Sequence, residues 1–220
     1  MAEPVVRWLA TEPRLLIATT VVGALVLLWI GTAIYNVRRG WSFVAKLQES
    51  TRGQVLVEQA PTPQGFFILL SPPPEPFRRI TITFHTGANP LSWPWRLIMG
   101  QLPRLVIQAS LNEHPQAELI WQRGRIPAKA LSRRGDSALW VQRRLDFLNY
   151  EYAARGVNPS GLIHHFTDIQ TRFGPLLYKL TIQNDSVPEI EVGLRTLGLN
   201  PEELPPLITT IRALGRATSF

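Results

Sequence analysis

Six arginines within 22 residues are the part of this sequence best suited to binding chemistry. A guanidinium group holds a phosphate or a carboxylate through two parallel hydrogen bonds, so the group could bind an anionic lipid headgroup or an acidic partner. An ordinary solvated or ion-paired surface explains the same residues. Nucleic-acid binding is not expected, because no aromatic RNA-binding motif accompanies them. This basic group consists of Arg123, Arg125, Arg133, Arg134, Arg143 and Arg144.

The nearest approach to a metal or acid–base cluster is His164, His165 and Asp168. On a helix His164 and Asp168 lie four residues apart and could share a ligand. No further ligand has a recognisable spacing, and the HExxH pattern is absent. The chain also lacks cysteine, which excludes disulfides, thiolate metal sites and a cysteine nucleophile. We therefore predict a solvated helix face here, and no catalytic residue, metal site or cofactor.

The segment NPLSWPWRLIMGQLP, residues 89–103, carries large apolar side chains between prolines. Proline at positions 90, 94 and 103 excludes a long helix or a central strand. An exposed loop of this kind would suit the bilayer interface or a groove on a partner, whereas a loop folded over the sheet would complete the core. The residues of this interface loop are Trp93, Trp95, Leu97, Ile98 and Met99.

A long apolar stretch at residues 15–36 indicates whether the protein is anchored in a membrane. It has no formal charge between Leu15 and Tyr35, and a helix of that length spans about 30 Å, the thickness of the bilayer hydrocarbon. It has neither a signal-peptide cleavage pattern nor a recurring polar face. We predict an uncleaved transmembrane helix, preceded by a short tail at 1–14. A juxtamembrane helix or stalk at 37–52 and a soluble domain at 53–220 follow.

The charged residues beside the span predict its orientation. Arg7 and Arg14 precede it, and a larger basic set follows it, as the cytoplasmic flank of a span does. This favours a cell-membrane protein with its N-terminus outside and its domain in the cytoplasm. The following set is Arg38, Arg39, Lys46 and Arg52.

Three small residues within the span, Thr19, Gly23 and Gly31, fall on nearly one helix face. Small residues let membrane helices approach closely, so this face could pack against a helix of another membrane protein. The alternative is that glycine and alanine are simply common in membrane helices.

Sequence periodicity predicts an α+β domain, with a mixed or mainly antiparallel sheet and helices on one face. Strand-like runs lie at 53–59, 65–71, 78–86, 104–111, 117–126, 175–183 and 189–195. Helical spacing of apolar residues appears over 137–156, where Gly156 would cap the end, and after the N-capping residues Asn158 and Asn200. The basic group would then span a strand end, a loop and a helix start.

These features predict a single-pass membrane protein that works by binding, as an accessory or assembly subunit of a larger membrane complex. Its net charge of +7 suits contact with anionic headgroups as well as with membrane protein partners. One alternative is a membrane-surface module that binds anionic lipid or another ligand. A second is a membrane-tethered enzyme, which would need His85, His164 or His165 to meet carboxylates distant in sequence.

Overall fold

The computed structural model describes residues 13–51, 55–86, 103–124, 126, 140–145, 150–157 and 159–218. Within these residues a long N-terminal helix, α1, is followed by a nine-stranded antiparallel sheet and two C-terminal helices. The predicted α+β class is thus confirmed.

The sheet is antiparallel at every described strand pairing. The strand order is β1-β2-β3-β4-β9-β8-β5-β7-β6, so the last two strands of the chain lie at the centre. The strands are β1 (Val55–Thr62), β2 (Gly65–Leu70), β3 (Phe77–His85), β4 (Arg104–Leu111), β5 (Ala117–Gln122), β6 (Val141–Leu145), β7 (Tyr150–Gly156), β8 (Leu177–Ile182) and β9 (Ile190–Arg195).

The helices α2 (Pro159–Phe173) and α3 (Leu204–Thr218) cover one face of this sheet. Alternate strand residues point into the same apolar core as the inward stripes of the helices. Trp121 of β5, for example, lies 5.9 Å from the ring of Phe166 on α2. Asn200 caps a short 3-10 turn that leads into α3, and its side chain accepts a hydrogen bond from the backbone nitrogen of Glu202, as the predicted N-cap requires.

The helix predicted over 137–156 is wrong in its described part, because Val141–Leu145 and Tyr150–Gly156 are strands β6 and β7. Strand β7 pairs with β5, and both of its faces are covered. Tyr152 belongs to the main core, while Ala153 belongs to a second apolar cluster with Trp140 on the other face. Burial on both faces hides the alternation of a strand, and the pairing with β5 is a long-range contact that local periodicity does not report.

The helix α1 (Pro13–Thr51) is a single element of 39 residues with two different environments. Its first half exposes apolar side chains, whereas Phe43, Val44 and Leu47 in its second half are buried in the domain core. The ring of Phe43 lies 5.1 Å from that of Phe84 on β3. Residues 40–51 are therefore packed into the domain rather than standing free of it.

The two ends of the docked half of α1 define two ends of the domain. A β-carbon built at Gly40 would lie 2.7 Å from Cβ of Pro61 at the end of β1, so only glycine permits this approach. At the other end, Ser50 and Thr51 share a cleft with Leu70. The "near end" is the one beside Gly40, from which the apolar half of α1 projects. The "far end" is the one beside Thr51.

We predict that Phe43→Ala destabilises the domain by about 3–5 kcal/mol, the usual cost of truncating a fully buried phenylalanine. Ser42→Ala, at the neighbouring exposed position, should change stability by less than about 0.5 kcal/mol. Urea unfolding of the full chain in detergent, followed by near-ultraviolet circular dichroism, measures both. Equal unfolding midpoints for the two variants would contradict the docking of this half of α1.

Candidate functional site

The first half of α1 is long and apolar enough to span a membrane. Its hydroxyl groups find partners within the helix: Thr19 donates to the carbonyl oxygen of Leu15 at 2.9 Å and Thr20 to that of Leu16 at 2.8 Å. A helix in lipid requires such internal satisfaction of polar groups. The large exposed apolar residues of this half are Leu16, Ile17, Val21, Val22, Leu25, Val26, Leu27, Leu28, Trp29, Ile30 and Ile34.

The small residues predicted to pack against another helix lie on this exposed half. A β-carbon built at Gly23 or Gly31 meets no atom within 4 Å, so packing within the described chain does not require glycine there. Thr19, Gly23 and Gly31 are all exposed, in the half of α1 that projects from the domain. The domain therefore leaves these residues open, and their role in helix packing stays a prediction.

The two arginines after the span have different roles. Arg39 Nη2 donates to the carbonyl oxygens of Thr196 and Leu199, at 2.5 and 2.9 Å, and its guanidinium lies 5.7 Å from the ring of Phe43. Arg38, in contrast, is exposed. Arg39 thus fixes the turn after β9 to α1.

That turn presents an apolar side chain at the near end of the domain. Leu197 is 74% exposed, and Gly198 beside it has a φ of +88°, a conformation that favours glycine. The backbone nitrogen of Thr196 donates to the carbonyl oxygen of Pro103 at 3.0 Å, which places the turn beside the start of β4. An exposed leucine therefore lies next to the point where α1 leaves the domain.

Basic residues gather at this near end of the sheet. Arg104 is directly opposite His85 on β3 and opposite Arg195 on β9. Desolvation lowers the pKa of His85, and the charge of Arg104 lowers it further. Two guanidinium groups side by side on adjacent strands repel each other, an arrangement that usually costs stability. One acidic residue, Glu151, also lies toward this end, as the second residue of β7.

At the far end, by contrast, acidic residues are paired with basic ones. Glu189 lies 3.7 Å from Arg78, and Arg155 contacts both Glu118 and Asp185. Within the described residues neither Arg104 nor Arg195 has such an ion pair. The near end therefore carries the excess of positive charge.

The pairing of β8 with β9 shifts register between Leu177 and Lys179. This irregularity affects which β8 side chains lie on the surface at the near end. The irregularity lets both Tyr178 and Lys179 lie on the sheet face away from the helices. The ring of Tyr178 covers Gly193 on β9, where a β-carbon would lie 2.4 Å from Cζ of the tyrosine. Burial raises the pKa of the Tyr178 hydroxyl, against the opposing effect of Arg104, so the phenol is protonated at neutral pH.

These residues form a hollow of about 450 Å³, the "arginine hollow". The backbone nitrogen of Arg123 donates to the carbonyl oxygen of Tyr178 at 2.9 Å, which joins the end of β5 to β8. Lys179 also contacts Glu191, at 2.7 Å. The hollow is lined by Gln122, Arg123, Tyr178, Lys179 and Arg195, a set of cationic and neutral hydrogen-bond donors suited to an anion.

Of the six arginines in the predicted basic group, Arg123 lines this hollow. Arg143 and Arg144 lie on strand β6 rather than at a helix start, and their side chains are outside the described part. Arg125, Arg133 and Arg134 lie outside the described residues. Sequence reasoning missed the partners of Arg123 because Tyr178, Lys179 and Arg195 read as ordinary strand residues, and only the strand pairing reveals their proximity.

The histidine cluster lies on α2, where Nε2 of His164 and Nδ1 of His165 are each 3.9 Å from Oδ2 of Asp168. The His164 side chain is 76% exposed, as on a solvated helix face. His85 is on β3, on the sheet face away from the helices, so the structure does not bring it to this cluster. Among the described residues no group of three or more metal-ligating side chains could hold a metal ion.

The predicted interface loop, with Trp93, Trp95, Leu97, Ile98 and Met99, lies outside the described residues. Its described flanks are both at the near end. Thr86 donates from its backbone nitrogen to the carbonyl oxygen of Gln64, and Pro103 accepts from Thr196.

Comparison of the chain with models of protein families and with curated proteins finds no match.

We predict that Arg39→Ala destabilises the domain by about 1–3 kcal/mol, because two partly buried carbonyl oxygens lose a charged donor. Arg38→Ala, which removes the same side chain one position earlier, should have little effect because Arg38 is exposed. Thermal unfolding of both variants in the same detergent compares them. A loss of stability from Arg38→Ala as large as that from Arg39→Ala would show that the contacts of Arg39 do not matter.

Proposed function

We propose that this chain is a single-pass membrane protein that works by binding, as an accessory or assembly subunit of a larger membrane complex. The observation that carries the proposal is the unbroken helix α1, which is apolar and exposed in its first half and docked in the domain core in its second.

A helix of this kind holds the domain close to the bilayer. Gly40, at the near end, comes five positions after Tyr35 at the end of the apolar stretch, a rise of about 8 Å. Because Phe43 and Leu47 are buried, the docked half of α1 cannot swing away from the sheet without exposing core residues. The near end then rests at the headgroup layer.

The proposed partner is another membrane protein that contacts the small-residue face of the span. Thr19, Gly23 and Gly31 are exposed in the half of α1 that projects from the domain, so one helix can pack beside the span while the domain keeps its position. A rigidly held domain and an open helix face together suit a subunit that joins a complex both in the membrane and at its surface.

The proposed orientation places the domain in the cytoplasm of the cell. Arg38, Arg39, Lys46 and Arg52 follow the span closely, against Arg7 and Arg14 before it. An excess of positive charge close to one end of a span is typical of the cytoplasmic side.

A second candidate function, binding of anionic lipid by the domain surface, is favoured by the concentration of arginine at the near end. Each basic residue close to an anionic bilayer contributes on the order of 1 kcal/mol of attraction. Contact with lipid and membership of a complex are compatible.

A cross-linking experiment tests the proposed partner. Since the chain has no cysteine, Gly23→Cys and Leu25→Cys each provide a single site for a thiol-linked photo-cross-linker. Leu25 lies on nearly the opposite face of the helix at about 100° per residue. In native membranes we expect Gly23→Cys to form an adduct with one particular membrane polypeptide and Leu25→Cys to label lipid.

Thr19→Cys, on the same face as Gly23, repeats the test in case the new side chain at position 23 disturbs the contact. The partner proposal fails if neither variant forms a protein adduct, or if Leu25→Cys labels the same polypeptide as strongly.

A fluorescent probe tests whether the near end contacts the bilayer. Leu197 and Val187 are 74% and 73% exposed and lie in turns at the near and far ends, so Leu197→Cys and Val187→Cys form a matched pair. With an environment-sensitive dye in proteoliposomes, the emission of the Leu197→Cys conjugate should shift to the blue relative to detergent, and that of the Val187→Cys conjugate should not.

The reverse pattern, or two unchanged spectra, would place the near end away from the bilayer. The Val187→Cys variant also reports the side of the membrane. In intact cells a membrane-impermeant maleimide should not label it, and labelling before lysis would refute the cytoplasmic orientation.

A further inference from the structure

We propose that the arginine hollow binds a phosphate group. Its direct contacts would come from the guanidinium groups of Arg123 and Arg195, the ammonium group of Lys179 and the hydroxyl group of Tyr178.

The cationic lining of the hollow suits a phosphate monoester. Three cationic side chains line it, and one of them, Lys179, contacts the carboxylate of Glu191. A phosphate monoester carries about −1.5 to −2 charges near neutral pH and has three strong acceptor oxygens.

One donor of the hollow is held in place by packing. The ring of Tyr178 lies over Gly193 on β9, and the backbone hydrogen bond from Arg123 to Tyr178 ties the end of β5 to β8. The Tyr178 hydroxyl carries its proton at neutral pH, as a phenol does, so it can donate to a phosphate oxygen. A hydroxyl held in this way loses little freedom on binding, which favours affinity.

A bound anion would also offset the repulsion between two arginines on neighbouring strands of the sheet. Arg195 and Arg104 occupy directly opposite positions on β9 and β4, an arrangement that destabilises a sheet unless another interaction opposes the repulsion. A phosphate dianion at Arg195 attracts both guanidinium groups. The ligand thus accounts for a pair of like charges that the described residues do not neutralise.

The phosphate group could come from either of two sources. A lipid headgroup or a soluble phosphorylated compound could supply it. The lipid source rests on the proposed placement of the near end at the bilayer, whereas phosphate binding itself does not.

The first arm of the test uses inorganic phosphate and the full chain in detergent. A ligand that binds only the folded state raises the unfolding temperature, and above its dissociation constant the stabilisation grows with the logarithm of its concentration. Sodium phosphate is titrated against sodium chloride of equal ionic strength, and the phosphate-specific rise gives an apparent dissociation constant. Circular dichroism of each variant without phosphate checks that it is folded.

The variants are Arg195→Gln and Arg123→Gln, with Arg38→Gln as the control. Loss of one charged double hydrogen bond should weaken phosphate binding about tenfold or more in each hollow variant. Arg38 is an exposed arginine near the same end of the domain but on α1, outside the hollow, so Arg38→Gln should bind as the unchanged chain does. Having two hollow variants keeps the test decisive if one does not fold.

The second arm uses nanodiscs of phosphatidylcholine containing one-tenth phosphatidic acid, with retained lipids counted by native mass spectrometry. Enrichment of phosphatidic acid that disappears in Arg195→Gln and Arg123→Gln but persists in Arg38→Gln identifies a lipid headgroup in the hollow. General attraction to the bilayer predicts the opposite order, with Arg38→Gln losing at least as much.

Phosphate binding in the first arm alone indicates a soluble phosphorylated ligand and leaves the membrane placement to the fluorescence test. Enrichment in the second arm alone indicates the lipid. The proposal is overturned if neither arm shows binding, or if the hollow variants bind as strongly as Arg38→Gln.

Discussion

The structure depends first on the contact between the second half of α1 and the β1–β2 hairpin. Gly40 lets the helix backbone approach Pro61, and Phe43 enters an aromatic group in which Phe66 and Phe84 stack 4.8 Å apart. Burial of these rings makes the helix part of the domain core, and the apolar first half must project from one defined end of the sheet. The position of every near-end residue relative to the apolar half of α1 follows from this contact, since an α-helix transmits direction along its length.

The sheet topology then sorts the charged residues between the two ends. Antiparallel pairing of β4 with β9 and of β8 with β5 brings together side chains that lie far apart in the chain, such as Arg123 and Arg195. Repulsion among these cations lowers the stability of the sheet and at the same time creates a strong field for an anion. The ion pairs of Glu118 and Glu189 keep the far end closer to neutral. A site for anions at one end is therefore a property of the fold as a whole.

Most elements could be predicted from local patterns, and the failures have a common cause. The run RRITITFH alternates because only one of its faces enters the core, and β3 forms there as predicted. Tyr152 and Ala153 are buried on opposite faces, so β7 carries no alternation, and its apolar residues coincide with helical spacing. The sequence predicts a solvated helix face at His164 because a metal site needs more ligands than this spacing offers, and the His164 side chain is 76% exposed. The partners of Arg123 could not be predicted, because the register that joins them is a tertiary property.

The sequence by itself determined a helix able to span a bilayer, an α+β domain after it, and an excess of arginine. These are properties of composition and of local periodicity, which depend only on residues near one another in the chain. Only the tertiary structure decided that Arg39 anchors a turn while Arg38 stays exposed, since the difference lies in the carbonyl groups of Thr196 and Leu199. It also decided which cations share a surface. Strand pairing and the irregularity in β8 set that arrangement, because they determine the face and the end at which each side chain emerges.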